Sequence, residues 1–283
     1  YVHYYDSFHP EGRDLIWREV KKNYFDRGID IYWLDACEPE IEPPFAENFQ
    51  FYSGPGTAIA HAYPLLHEMG FYPNMKKAGM KEVVNLCRST WAGGQRYGAA
   101  VWSGDIPSSF GCLRKQIRSG LNMAMSGIPW WTTDIGGFTG GKINDPEFRE
   151  LLVRWFQYGA FCPIFRLHGY RFAESTDMHN GTGADNEVWS FGEEAYPILV
   201  KFMEIREKFR PYLDKQFADL SEKGGAIMRP LLYDFPADSK VWEVEDEYML
   251  GPDYLIAPVL EYKERGRDVY FPAGSQWTDL WTG

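Results

Sequence analysis

Two periodicities alternate along the first 170 residues. Residues 10–28, PEGRDLIWREVKKNYFDRG, place Leu15, Ile16, Val20 and Tyr24 near one face and end on Gly28, which predicts a helix. IDIYWLD (29–35) follows as a strand, and PLLHEMGFYPNMKKAG (64–79) as a mostly helical stretch interrupted at Pro73. VVNLCRS (83–89) and GAAVWSGD (98–105) read as strands. LRKQIRSGLNMAMSG (113–127) reads as a helix, IPWWTTD (128–134) as a strand, PEFRELLVRWFQYGAF (146–161) as an amphipathic helix and PIFRLHG (163–169) as a fifth strand. The strands are apolar on both faces, as parallel strands covered on two sides are. Strand–helix alternation predicts a parallel α/β fold.

The polar residues fall at one end of these strands: Asp35, Arg88, Asp105, Asp134 and His168. A (β/α)8 barrel builds its site at that end. Solvent at strand ends accounts for one or two such residues, not for five with Trp33, Trp102 and Trp131 close by. The pattern changes near residue 170. A polar, glycine-rich loop, RFAESTDMHNGTGADNE, leads to charged helices over 193–224 punctuated by Pro197 and Pro211. AIMRPLLYDFP, YMLGPDYLIAPVL and RDVYFPAG then read as short strands without intervening helices. The expected division is therefore 1–224, the C-terminal part of a barrel with about five strands, and 225–283, the start of a small all-β domain. No internal repeat or low-complexity tract appears.

Charge narrows the partners. The net charge of −11 argues against nucleic acid and anionic membrane but suits a neutral ligand. No run of apolar residues is long enough to span a membrane. Aromatics make up 17% of the 283 residues, and their flat rings serve equally as sugar platforms or as core filling. The four cysteines, Cys37, Cys87, Cys112 and Cys162, form no C-x-x-C pair, which excludes the usual zinc and redox motifs and fits a reducing compartment. The chain starts at Tyr1, without a signal peptide, and stops just after a strand-like run, so it reads as an excerpt of a longer protein.

Asp35 and Asp105 end alternate strands, and two more carboxylates, Glu38 and Glu40, follow Asp35. Paired carboxylates across a pocket are the working parts of glycoside hydrolysis. One must stay ionised, and Arg88 on the intervening strand can hold a neighbouring carboxylate charged. The other must be protonated near working pH, for which Trp102 offers an apolar wall. Gly104 allows close approach of backbone beside Asp105. The competing structural reading makes both acids ordinary turn residues. Asp30, at the far end of its strand, reads as structural.

WLDACEPE, RSTWAGGQRYGAAVWSGD, SGIPWWTTDIGGF and RWFQYGAFCPIFRLHG, in this order and spacing, resemble the retaining α-glycosidases of glycoside hydrolase family 31. MRPLLYDFP and YMLGPDYLIAPVL resemble the part of that family where the barrel passes into a small β-domain, so the likeness covers nearly the whole chain. The resemblance implies that Asp35 is the nucleophile and Asp105 the general acid/base. Arg88, Trp102, Asp134 and His168 match positions lining the subsite of the cleaved sugar, Arg88 and His168 bonding its hydroxyls. Trp33, Trp131 and Phe165 would form apolar walls, and Glu38 would support the nucleophile's loop. Retention requires the two carboxyl groups about 5 to 5.5 Å apart, inversion about 6.5 to 9.5 Å. No cofactor and no metal is implied.

Two departures matter. Many members read W-x-D-M-N-E at the nucleophile; here Ala36 and Cys37 stand in the Met and Asn places, a version similar to the α-xylosidase-like branch. The expected activity is therefore exo-acting removal of an α-linked xylose from an oligosaccharide or small glycoside. An α-glucosidase is the alternative, and a non-catalytic carbohydrate-binding protein the rival from another class. A sulfonated sugar would need an extra cation such as Arg171, which reads more simply as an exposed loop residue. The second departure is that a family barrel has eight strands and only five are legible here, so the chain alone need not turn over. Other chemistries fit less well. His61 and His67 are six apart, not i, i+4, and read as packing or surface residues. No G-x-S-x-G or post-strand G-x-G-x-x-G occurs. Self-association and location, cytoplasmic or periplasmic in a bacterium, stay open.

Overall fold

The computed structural model describes residues 4–39, 47–172 and 183–283. Glu40 and most of the glycine-rich loop, 173–182, lie outside the described residues. The chain forms two compact units, Tyr1–Gly104 and Asp105–Gly283.

In the first unit, α1 (Pro10–Asn23) starts where the His9 ring accepts from the Glu11 amide at 3.2 Å and proline occupies the first turn. A short 3-10 turn follows and Gly28 closes it at φ 90°. Buried Trp17 meets Phe71 of α2 (Tyr63–Lys77) edge-on, 6.3 Å between centroids. α2 runs on through Pro73, contrary to the expected break, because loss of one amide donor is outweighed where Phe71 and Met75 on either side are buried. β1 (Trp33–Leu34), β2 (Asn85–Cys87) and β3 (Ala99–Trp102) pair in parallel, Leu34 opposite Cys87 and Cys87 opposite Val101. β3 is buried throughout, as its unbroken apolar run requires. The bend into β3 is closed by Gly98 at φ 69°, where an added Cβ would lie 2.3 Å from the Val83 carbonyl oxygen. Ile29, Ile31 and Trp33, two apart, are 50, 71 and 47% exposed, so only the end of the predicted strand is paired.

In the second unit, Ser109 Oγ caps α3 (Phe110–Met125) by accepting from the Cys112 amide at 3.1 Å. β4 (Trp131–Thr132) follows, then α4 (Pro146–Gly159), capped by Asp145 on the Glu147 amide at 3.0 Å. α5 (Ala195–Lys223) is one helix of 29 residues carrying Pro211 inside it, not several. Its C-terminus gives way to an antiparallel sheet, β5 (Met228–Pro230), β6 (Tyr248–Leu250) and β7 (Tyr254–Ile256), in that order. Leu113, Ile117, Leu152, Trp155 and Tyr248 form the core where α3, α4 and the sheet meet. Buried Trp155 donates to Thr133 Oγ1 at 2.8 Å, so its indole N–H is satisfied.

Two predicted strands do not form. PIFRLHG is not a strand, although the Ile164 amide bonds the Trp131 carbonyl at 3.1 Å; Pro163 has no donor and Gly169 turns at φ 154°. RDVYFPAG is not a strand either: the Tyr270 amide goes to the Glu247 carboxylate at 3.0 and 3.2 Å instead of a neighbouring strand. LLYD within the predicted β module is a short helix, Leu231–Asp234.

Candidate active site

Asp35 and Arg88 each stand one residue past a register pair, Leu34 opposite Cys87, so both leave the sheet at the C-terminal ends of parallel strands. The Arg88 guanidinium lies between two acids. Its Nε is 3.3 Å from Asp35 Oδ1 and 2.9 Å from Glu38 Oε1, and its Nη2 is 2.8 Å from Glu38 Oε2. The side chain of Arg88 is 16% exposed and that of Asp35 51%, so the cation is held inside while the carboxylate faces out. Burial alone would raise the Glu38 pKa, but the hydrogen bonds and charge of Arg88, with help from its own backbone and Ser89, bring it below the usual value. Asp35 Oδ1 also accepts from the Ala36 amide at 2.8 Å, and Ala36 adopts φ 52° to present it.

Trp33 and Trp102 meet edge to face, 5.6 Å apart; Trp33 is half exposed and Trp102 is 2% exposed. Cys37 donates to the Leu34 carbonyl at 3.1 Å, and burial together with the Glu38 charge pushes its thiol up to about 12. It is a packing residue rather than a nucleophile. Gly104 sits at φ 75°, and a Cβ there would meet Arg88 at an ordinary 3.6 Å. The glycine is needed for its left-handed backbone, not for close approach.

In the second unit Asp105 is exposed, while Asp134 is wholly buried and paired with Arg166. Burial raises the Asp134 pKa to about 6, against the lowering charge and hydrogen bond of Arg166, with Asp105 adding a further rise. Phe138 stacks on His168 at 5.5 Å. Trp131 packs where Gly120 of α3 leaves room, and a Cβ there would touch its indole at 2.7 Å. Phe165 packs edge-on against Phe156 of α4 at 4.7 Å. The structure thus groups Trp33, Asp35, Glu38, Arg88 and Trp102 in one unit and Asp134 with Arg166 in the other, and places Trp131 and Phe165 against helices.

Arg171 corrects the sequence reading. It is fully buried, not exposed, and donates to the carbonyls of Ile135 (3.0 Å), Gly137 (2.7 Å) and Gly140 (3.4 Å) and to Asn186 Oδ1 (2.8 Å). Burial lowers its pKa to about 10, partly offset by Asp134. Of the two histidines weighed as ligands, His61 lies against Trp91 and His67 bonds the Tyr5 hydroxyl at 2.5 Å. Among the described residues no group of three or more His, Cys, Asp or Glu could hold a metal ion.

Asp35 and Arg88 thus stand at the C-terminal ends of parallel strands, the end at which (β/α)8 barrels build their sites. Residues 1–216 match the glycosyl hydrolases family 31 TIM-barrel domain and residues 224–283 the family 31 C-terminal domain, and the chain belongs to that family. It is the later part of the barrel followed by a small antiparallel β domain. The chain is 52% identical over 168 residues to an uncharacterised family 31 glucosidase of Pseudescherichia vulneris, covering 59% of this chain and 32% of that protein. It is 38% identical over 286 residues to an α-xylosidase of Saccharolobus solfataricus, covering 99% of this chain and 37% of that protein. Its fold superposes with a TM-score of 0.90 on a family 31 α-xylosidase from a soil metagenome complexed with xylose, 50% identical, covering 95% of this chain and 41% of that one. The chain therefore spans well under half the length of these relatives.

Proposed function

We propose that the full-length protein is a retaining, exo-acting α-glycoside hydrolase that removes a terminal α-linked xylose. The observation that carries this reading is the Arg88 guanidinium shared by Asp35 and Glu38 at the strand ends. It fixes the direction of a half-exposed carboxylate, as a nucleophile needs. Asp35 attacks the anomeric carbon while Asp105 gives its proton to the departing glycosidic oxygen. The carbon–oxygen bond breaks and a glycosyl ester forms on Asp35. Asp105 then takes a proton from water, the water oxygen bonds to the anomeric carbon, and the ester bond breaks with the α-configuration retained. The family resemblance supports Trp33, Arg88, Trp102, Asp134 and His168 as sugar-binding residues. The domain division we adopt is 1–224 and 225–283. Xylose as the sugar is supported by Ala36 and Cys37 and by the named xylosidases among the relatives; the glucosidase relative keeps α-glucose as the second reading.

The test is turnover of p-nitrophenyl α-xyloside against the α-glucoside by the full-length protein. A higher kcat/KM on the xyloside is expected. Preference for the glucoside overturns the sugar, and absence of turnover on every α-glycoside tried, with sugar binding intact, favours a binding protein. Asp35→Ala and Asp105→Ala are each expected to lower kcat by three orders of magnitude or more, on the order of 4 kcal/mol or more of transition-state stabilisation. Circular dichroism should show the fold unchanged, and near-native kcat in Asp35→Ala would remove the nucleophile from this scheme.

A further inference from the structure

Helix α2 carries an acid that this mechanism does not use. Glu68 has no exposed surface, and its Oε2 accepts from Thr90 Oγ1 at 3.1 Å. Its Oε1 has no hydrogen-bond partner among the described residues. The chain beyond Thr90 is folded tightly over this contact. A Cβ on Gly94 would lie 1.9 Å from Thr90 Oγ1 and 2.6 Å from Glu68 Oε2, so only glycine fits. Cys87, Arg88 and Thr90 are almost consecutive, and the segment pinned by Glu68 is the one that aims Arg88 at Asp35 and Glu38.

We propose that Glu68 is a positioning residue, its neutral carboxyl locking Thr90 and through it the Arg88 guanidinium that serves Asp35 and Glu38. This role rests on the glycosidase reading of the site. A single hydroxyl donor in a buried site satisfies a neutral acid far better than a carboxylate. Burial, partly offset by Thr90 and Cys87, accordingly raises the Glu68 pKa to about 8. The titratable groups facing it are Cys87 from β2 and Cys37 from the loop after β1. Burial raises both thiols, Cys37 to about 12 and Cys87 well above its usual value, so both stay neutral while Glu68 titrates. Because the folded value lies above the ordinary 4.5, the folded state holds a proton that the unfolded state gives up. Stability from this group is complete below the unfolded pKa and lost as pH rises towards the folded one.

The experiment compares wild type, Glu68→Gln and Glu68→Ala in the full-length protein, reading kcat and KM against pH on whichever p-nitrophenyl α-glycoside wild type turns over, and Tm at acid and alkaline pH. Gln keeps an acceptor for Thr90 and cannot ionise. It is expected to hold kcat within twofold of wild type near pH 6, to retain more activity than wild type above pH 8, and to gain more Tm over wild type at alkaline pH than at acid pH. Ala is expected to lower kcat about tenfold with little change in KM. Superimposable pH profiles for wild type and Gln overturn the proposal even if Ala fails to fold, as does a Tm difference that is the same at both pH values. If wild type turns over no α-glycoside, the proposed function fails; a pH-dependent Tm difference would then leave Glu68 a structural latch and strike its catalytic purpose.

Discussion

Arg88 reaches two carboxylates, Asp35 through Nε and Glu38 through Nε and Nη2, a task that suits a planar fork. Lysine would keep the charge and lose the paired bonds. Arg88→Lys is expected to cut kcat by at least tenfold in the full-length protein, with circular dichroism unchanged; undiminished kcat would deny the clamp its role. Glu38 gives a second reading of the same contact. Its pKa is depressed, so its contribution to stability is present above its ordinary value of 4.5 and is lost as pH falls through the lower folded value. Glu38→Gln should therefore lower Tm at pH 7, and the difference from wild type should shrink on acidification. Asp35, Arg88 and Glu38 drew attention in the sequence because an apolar strand runs straight into charge, although a single acid at a strand end reads as readily as a turn residue. The places of Arg166 and Arg171 were not legible. Arg166 lies between Phe165 and Leu167 and Arg171 between Tyr170 and Phe172, and nothing in the local pattern says which cation will be buried. Trp131 and Phe165 pack against helices, and where both faces of a strand are apolar, spacing cannot say which face looks at them.

At the scale of elements, the positions of α1, α3 and α4 were read well, the prolines in α2 and α5 were read as breaks that do not occur, and the strands were read too long. Helices announce themselves by caps and by a face of several turns. Ser109→Ala should remove the α3 cap and cost about 1 kcal/mol, read as a lower midpoint in urea. Pro73 acts in the opposite sense. α2 tolerates it at the expense of one hydrogen bond, so Pro73→Ala should raise the same midpoint, by an increment on the order of 1 kcal/mol or more. Strands give fewer clues, because an apolar run looks the same whether or not a ladder forms along it. The expected strand at 163–169 fails on Pro163 and Gly169, both visible in the sequence, yet its length and apolar residues masked them. The segment 267–274 fails because a carboxylate 20-odd residues away takes its amide, a contact no local pattern encodes.

For the molecule as a whole, order along the chain was more informative than any one element: four motifs in sequence gave the family, and the family models divide the chain between barrel and C-terminal domain. The net charge of −11 acts at this scale too. A neutral glycoside should show a kcat/KM that is nearly independent of ionic strength, whereas an anionic sugar analogue should bind better as salt screens the repulsion. Kinetics of the full-length protein at low and high salt would check both, and a strong salt dependence for the neutral glycoside would point to a local field that the overall charge does not describe.

Arg171 reaches its loop through carbonyl oxygens rather than side chains. The path of residues 135–140 is consequently held through the backbone; Ile135 stays in the core, and Phe138 and Thr139 are the positions whose side chains these bonds leave open to change. For an engineer this separates scaffold from display: Phe138 and Thr139 can be randomised to search for new sugar preferences, provided that Arg171 and the glycines at 136, 137 and 140 are left alone.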